Sequence, residues 1–191
     1  MKLLIVGPPG SGKGTQSLRI SRALGIQHIS TGSLLRHAIR LGTPLGDEAC
    51  ECVAAGHLVP DALVNELVRE RLGRSSAREG GFLLDGFPRN LAQLDALLGW
   101  LHPRSLDAAI ELAVPNDVVV RRLATRARVD DTDAGICERL RGFEVETAPM
   151  LRDLEERGLL ISVDADRPVD DVTRVILDTL AKRATRPPTA N

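Results

Sequence analysis

Gly7-Pro8-Pro9-Gly10-Ser11-Gly12-Lys13-Gly14-Thr15 is the stretch of this 191-residue chain best equipped for chemistry. It fits the pattern GxxxxGK. Its glycines let successive backbone N–H groups turn toward one point, and the first turn of a following helix adds partial positive charge there. An ammonium at Lys13 then reaches the outer phosphates of a nucleoside triphosphate, with Gly10, Gly12, Gly14 and Thr15 completing the cradle. A Gly/Pro connection without a ligand is the bland alternative, but the apolar run before the loop and the helical spacing after it are the context that phosphate binding demands. Only Lys2, Lys13 and Lys182 are lysine among 25 basic residues, so a lysine inside a motif carries information that a lone arginine does not.

Three further stretches carry polar groups at suggestive spacings. Asp85 closes the apolar run Phe82-Leu83-Leu84, which sets a carboxylate at the carboxyl edge of a strand, where ligands of α/β folds gather. Asn90 and Gln93 have the spacing of a helix N-cap and its N3 partner; a primary amide also presents a donor beside an acceptor, as an adenine edge requires. Gly56-His57-Leu58-Val59-Pro60-Asp61 reads as a helix stop, a proline and an Asp N-cap for the next helix.

The elements that must position these groups follow from periodicity. Leu3 to Val6 suits a strand buried on both faces, and Leu18, Ile20 and Leu24 recur at helical spacing after the loop. Phe82 to Leu84, Ala108 to Ala113 and Leu159 to Val163 are further compact runs, alternating with amphipathic stretches at 62–72, 91–98 and 169–180. That alternation predicts an α/β fold with a parallel sheet. Residues 30–73 hold helical patterns only, broken by Gly42, Pro44, Gly56 and Pro60, and read as helices inserted between the second and third strands. With 43% hydrophobic and 27% charged residues, a single domain over 1–191 is expected, with 183–191 as a flexible tail.

Composition excludes several classes of function. Lys and Arg number 25 against 26 Asp and Glu, so no global field draws the chain to nucleic acid or an anionic membrane, and any anion site must be local. Aromatic residues are Phe82, Phe87, Phe143 and Trp100 alone, too few for a base-stacking platform. The apolar start ends at Gly7, far short of a signal peptide or membrane span. Cys50, Cys52 and Cys137 are odd in number and lack the spacing of a disulfide framework or paired zinc site, so a reducing, cytoplasmic setting is expected. A GTPase switch is excluded because none of the three lysines follows an asparagine, as Asn-Lys-x-Asp requires.

The loop from Gly7 to Gln16, with Ser30-Thr31-Gly32-Ser33-Leu34-Leu35-Arg36 and Asp85-Gly86-Phe87-Pro88-Arg89 downstream, resembles the adenylate kinase family over nearly the whole chain. The resemblance implies a three-layer P-loop fold with a five-stranded parallel sheet in the order 2-3-1-4-5. It implies a monophosphate-binding insertion at 30–59 and a lid at 122–132, vestigial here because only Ala127 separates Arg126 from Arg128. The activity implied is Mg²⁺-dependent, reversible transfer of the ATP γ-phosphoryl group to AMP by a monomer.

Residue roles follow from the same resemblance. Gly10, Gly12, Lys13, Gly14, Thr15, Arg122 and Arg126 hold ATP, joined by Arg167 in the segment lining its adenine. Thr31, Arg36, Leu58, Val59, Gly86, Arg89 and Gln93 hold AMP, with Arg36 and Arg89 gripping the phosphate through their planar forks. Lys13, Arg89, Arg122, Arg128 and Arg139 are the catalytic cations that follow the migrating charge, oriented in part by Asp130 and Asp131, while Asp85 meets Mg²⁺ through bound water. No nucleophilic side chain is needed. Ser33 departs from the family's Asp or Glu, which shifts metal organisation toward Asp85, and the short lid leaves no room for a structural zinc site. A UMP/CMP kinase is the nearest alternative, against which Thr31 argues, since those relatives tend to carry Ala there. A non-catalytic P-loop nucleotide-binding regulator is the alternative from another class.

Overall fold

Leu3, Leu4, Ile5 and Val6 are apolar without interruption, and the strand they build, β1 (Lys2–Val6), is buried at the centre of a sheet. The structure is a computed structural model that describes residues 1–54, 59–73, 80–103, 105–126 and 133–184. Around β1 the sheet runs β2 (Gln27–Ser30), β3 (Phe82–Asp85), β1, β4 (Ala108–Ala113), β5 (Leu160–Asp164), with every pair parallel. This is the expected order 2-3-1-4-5. The one strand without an apolar run is β2, an edge strand in which Ile29 alone is buried, so no hydrophobic signal marks it.

Side chains on a strand alternate between faces, and β1 therefore feeds two cores. Leu4 and Val6 join Ile29, Leu84, Phe87, Leu94 and Leu154 on one face, while Leu3 and Ile5 join Ile20, Leu83, Ile110, Ile176 and Leu180 on the other. Each fully buried leucine or isoleucine stabilises the fold by about 1.5–3 kcal/mol. The covering helices are α1 (Lys13–Leu24), α2 (Thr31–Leu41), α3 (Pro44–Ala54), α4 (Asp61–Gly73), α5 (Leu91–Leu101), α6 (Asn116–Arg126), α7 (Asp133–Gly142), α8 (Ala148–Glu156) and α9 (Val169–Ala184). A single π-helical turn, Phe143–Thr147, joins α7 to α8. Among the described residues no helix is long and apolar enough to cross a membrane.

Helices α2, α3 and α4 lie between β2 and β3 in the chain, as the helical patterns of 30–73 predict. At the C-terminal end, α9 continues through Arg183 and Ala184, two residues into the stretch read as a tail, because Arg183 donates to the carbonyls of Gly158 and Leu159. The rest of that stretch, 185–191, lies outside the described residues.

The corner between α2 and α3 is tight. Thr43 Oγ1 donates to the Ala38 carbonyl at 3.3 Å and accepts the Gly46 N–H at 3.1 Å, and a Cβ on Gly46 would stand 2.3 Å from the Ala38 oxygen. In an open helix a Gly→Ala change gains about 1 kcal/mol. Here the sign reverses: Gly46→Ala should lower the unfolding free energy in urea by about 1–3 kcal/mol, the cost of forcing packed backbones apart.

Candidate active site

Val6 ends β1, and the chain turns through Gly7–Gly12 into α1, with the Ser11 N–H donating to the Pro8 carbonyl at 3.2 Å to close the loop. Gly12 caps the helix at φ 95°, and Lys13 arches back so that Nζ donates to the carbonyls of Gly7 at 2.6 Å and Pro8 at 2.8 Å. The N–H groups of the first turn of α1 and the ammonium thus face one region, a ready anion site.

The opposite wall begins where β3 stops. Asp85 is buried, its Oδ2 3.6 Å from His28 Nε2, and its backbone carbonyl accepts from Thr31 Oγ1 at 3.2 Å. Gly86 follows at φ 85°, where a Cβ would stand 2.7 Å from Thr31 Oγ1, so glycine alone lets the chain pass. Arg89 turns back to donate from Nε to the Gly86 carbonyl at 3.0 Å. Its own carbonyl accepts from Thr147 Oγ1 at 2.8 Å. Arg89 is half-buried, and loss of hydration lowers its guanidinium pKa below the ordinary arginine value; the Asp85 carboxylate opposes that shift, the Arg139 charge adds to it, and Glu146 opposes it. Arg36 reaches Ser33 Oγ at 3.4 Å.

Asn90 caps α5 as its spacing predicts, accepting the Gln93 N–H at 2.9 Å. The Gln93 side chain does not return to the cap residue. Its Oε1 accepts the Arg89 N–H at 2.8 Å and its Nε2 donates to Asp61 Oδ1 at 2.6 Å. Asp61, read from sequence as the N-cap of α4, is instead that helix's first residue; the Pro60 carbonyl takes the Leu63 and Val64 N–H groups, which leaves the carboxylate free to cross to α5.

The third wall comes from α6 and α7. Arg122 donates to the Ala165 carbonyl at 3.1 Å and approaches Asp166 Oδ1 at 3.4 Å, while Arg139 donates from Nε to the Gly135 carbonyl at 3.1 Å. Together the walls enclose a cavity of about 1060 Å³. One drug-sized ligand needs about 300–1,000 Å³, so there is room for two nucleotides.

Of the residues singled out from sequence, Gly10, Gly12, Lys13, Gly14, Thr15, Thr31, Arg36, Val59, Asp85, Gly86, Arg89, Gln93, Arg122 and Arg139 all line this one cavity. Arg167 does not line it; its Nε donates to Asp164 Oδ2 at 2.8 Å, a bond that, with the Asp166 N–H, holds the exposed Asp164 carboxyl below its ordinary pKa. Leu58, Arg128, Asp130 and Asp131, with the Arg126 side chain, lie outside the described residues. Sequence reasoning missed His28, Glu146 and Thr147 as lining residues and the contact of Asp61 with Gln93. Nothing local marks the last, since the partners are 32 positions apart, and the approach of Thr147 to Arg89 depends on the π turn.

Residues 5–159 match the family model for adenylate kinase. The chain is 44% identical over 191 residues to the adenylate kinase of Thermobifida fusca strain YX, covering 96% of this chain and 100% of that one. It is 46% identical to the adenylate kinase of Leifsonia xyli subsp. xyli, covering 97% and 96%. To that of Xylella fastidiosa strain 9a5c it is 44% identical, covering 94% and 99%.

Thr147 is buried and its hydroxyl holds the Arg89 carbonyl. Thr147→Val keeps the shape and removes the donor, so the unfolding free energy should fall by about 1–3 kcal/mol, read by urea denaturation. An unchanged midpoint would mean that the carbonyl is held by something else.

Proposed function

The chain belongs to the adenylate kinase family, an enzyme family whose reaction is transfer of the ATP γ-phosphoryl group to AMP, and from that premise we propose which of its residues carry the reaction out. The observation that carries the assignment is a single cavity with the Lys13 loop on one wall and Arg36, Arg89 and Gln93 on another.

On the donor side, ATP phosphates sit on the loop between Gly10 and Thr15. Lys13 exchanges the neutral carbonyls of Gly7 and Pro8 for phosphate oxygens, a favourable exchange because the ammonium then meets a full opposite charge in place of a neutral dipole. Arg122 serves the same phosphates, joined by Arg126 and by Arg167 once it leaves Asp164. On the acceptor side, Arg36 and Arg89 grip the AMP phosphate, Gln93 and Thr31 meet its base, and Leu58, Val59 and Gly86 shape the pocket. Residues 30–59 are thus the acceptor segment and 122–132 a minimal lid.

Transfer then needs little covalent work. The loose transition state spreads charge over the equatorial oxygens, and Lys13, Arg89, Arg122, Arg128 and Arg139 oppose that charge. Burial is the main cause of the lowered Arg89 pKa and the Arg139 charge adds to it, so a phosphoryl anion placed beside Arg89 meets a guanidinium that has already lost part of its hydration.

The donor set also suits Mg²⁺. Asp85 offers one buried carboxylate, with the Thr15 and Ser33 hydroxyls on the same cavity, which fits a hard cation that keeps most of its own water. Asp85 would hold it through that water, and when bound it neutralises phosphate charge. We take the protein to be a cytoplasmic monomer without structural zinc, acting on small-molecule nucleotides and not on nucleic acid or membranes. The odd number and the spacing of Cys50, Cys52 and Cys137 support the reducing compartment.

A panel of AMP, UMP, CMP and GMP with Mg-ATP tests the assignment. Diphosphate should form fastest from AMP, and Lys13→Ala should lower that kcat by about a hundredfold or more while the protein stays folded. A preference for UMP or CMP, or a folded Lys13→Ala protein with normal kcat, contradicts it.

A further inference from the structure

Gln93 is held at both ends of its amide by partners of opposite hydrogen-bonding sense. The Arg89 backbone N–H can only donate, and it meets Oε1 at 2.8 Å; the Asp61 carboxylate can only accept, and it meets Nε2 at 2.6 Å. Rotating the amide by half a turn would set NH₂ against N–H and carbonyl against carboxylate. Both bonds would be lost in a side chain only 3% exposed, where water cannot replace them. Asp61 is itself fixed, since its Oδ2 accepts from Asn90 Nδ2 at 2.9 Å and Asn90 in turn accepts the Gln93 N–H. One carboxylate at the start of α4 therefore orients two amides at the start of α5.

We infer that Asp61 is a positioning residue for acceptor-base selectivity: it locks the Gln93 amide in the orientation that suits adenine and rejects a base edge of reversed polarity. The inference rests on the proposal that Gln93 reads the acceptor base. Each amide atom keeps capacity for a second bond, through a spare lone pair on Oε1 and a spare hydrogen on Nε2. Adenine offers an amino donor beside the N1 acceptor, whereas hypoxanthine offers a carbonyl acceptor beside an N1–H donor. A freely rotating glutamine serves both edges equally. A glutamine pinned by a carboxylate and a backbone N–H serves one, although Asp61 itself does not line the cavity.

The test compares AMP with IMP as acceptors at saturating Mg-ATP, as the ratio of kcat/KM values on one enzyme preparation, so that any unfolded fraction cancels. Asp61→Asn nearly preserves shape, and its amide can face Gln93 in either sense. The AMP-to-IMP ratio should fall about tenfold, the discrimination carried by one charge-assisted bond, through KM for the two acceptors, while kcat with AMP and KM for ATP stay within about twofold. A role confined to stapling α4 against α5 would lower the melting temperature and leave the ratio unchanged, and an unchanged ratio overturns the inference. Gln93→Ala separates the two layers. Its ratio should collapse, and adding Asp61→Asn should change it no further. If Gln93→Ala keeps the wild-type ratio, the base-reading proposal fails and takes the lock with it. If Gln93→Ala collapses the ratio and Asp61→Asn does not lower it, the lock alone fails.

Discussion

Strands β1 and β3 pair in parallel with Ile5 opposite Asp85, so they release their chains side by side at one edge of the sheet. The rest of the site inherits that register. Val6, one residue beyond Ile5, ends β1 and the phosphate loop follows; the Gly86–Arg89 turn leaves β3 directly after Asp85, and α2 starts directly after β2. In a parallel sheet all carboxyl ends point one way, and helices begin where strands stop, so helix N-termini converge on one cleft. The cavity at that edge sets Lys13, Arg36, Arg89, Arg122 and Arg139 against Asp85, Glu138 and Glu146, a local cationic excess in a chain whose net charge is -1.

Four of the five Lys and Arg side chains lining that cavity share one kind of contact. Lys13 donates to Gly7 and Pro8, Arg89 to Gly86, Arg122 to Ala165 and Arg139 to Gly135, each to a backbone carbonyl, although Arg122 also stands 3.4 Å from Asp166 Oδ1 and Arg36 instead reaches Ser33 Oγ. A neutral carbonyl fixes the direction of a cation without cancelling its charge. The side chains are thereby aimed in advance, and a phosphate oxygen, as the stronger acceptor, can replace a carbonyl with little reorganisation. Packing enforces the aim: the Thr147 hydroxyl holds the carbonyl of Arg89, and the Asp61 carboxylate reaches that segment through Gln93.

What sequence could reveal follows from the range of the interactions involved. The loop around Lys13 was legible because its function is local, a run of glycines and one lysine between a buried strand and a helix. Asp85 was legible because an apolar run ends in a carboxylate. By contrast β2 carries no apolar run, since an edge strand buries little, and it stays silent in hydrophobicity even though His28, Ser30 and Thr31 open the cavity. The contact of Asp61 with Gln93 joins two helices across 32 positions, and local propensity assigned Asp61 to an N-cap that the Pro60 position fills instead. Family pattern placed Arg167 with ATP, but its nearest carboxylate, three residues away, holds it outside the cavity. Local rules read caps and loops well, and long-range polar contacts stay invisible until the chain is folded.

In the proposed reaction the phosphoryl group passes directly between two nucleotides in one cleft, driven by aimed cations and without a covalent protein intermediate. Asp85 and His28, both capable nucleophiles, line the same cavity and offer a covalent route as the alternative. The stereochemical course at phosphorus decides it, measured with ATP made chiral at the γ-phosphorus by oxygen isotopes. A single in-line displacement inverts the configuration in the ADP formed from AMP, which is the result predicted here. Net retention would mean two displacements through a phosphorylated side chain, and would contradict the account.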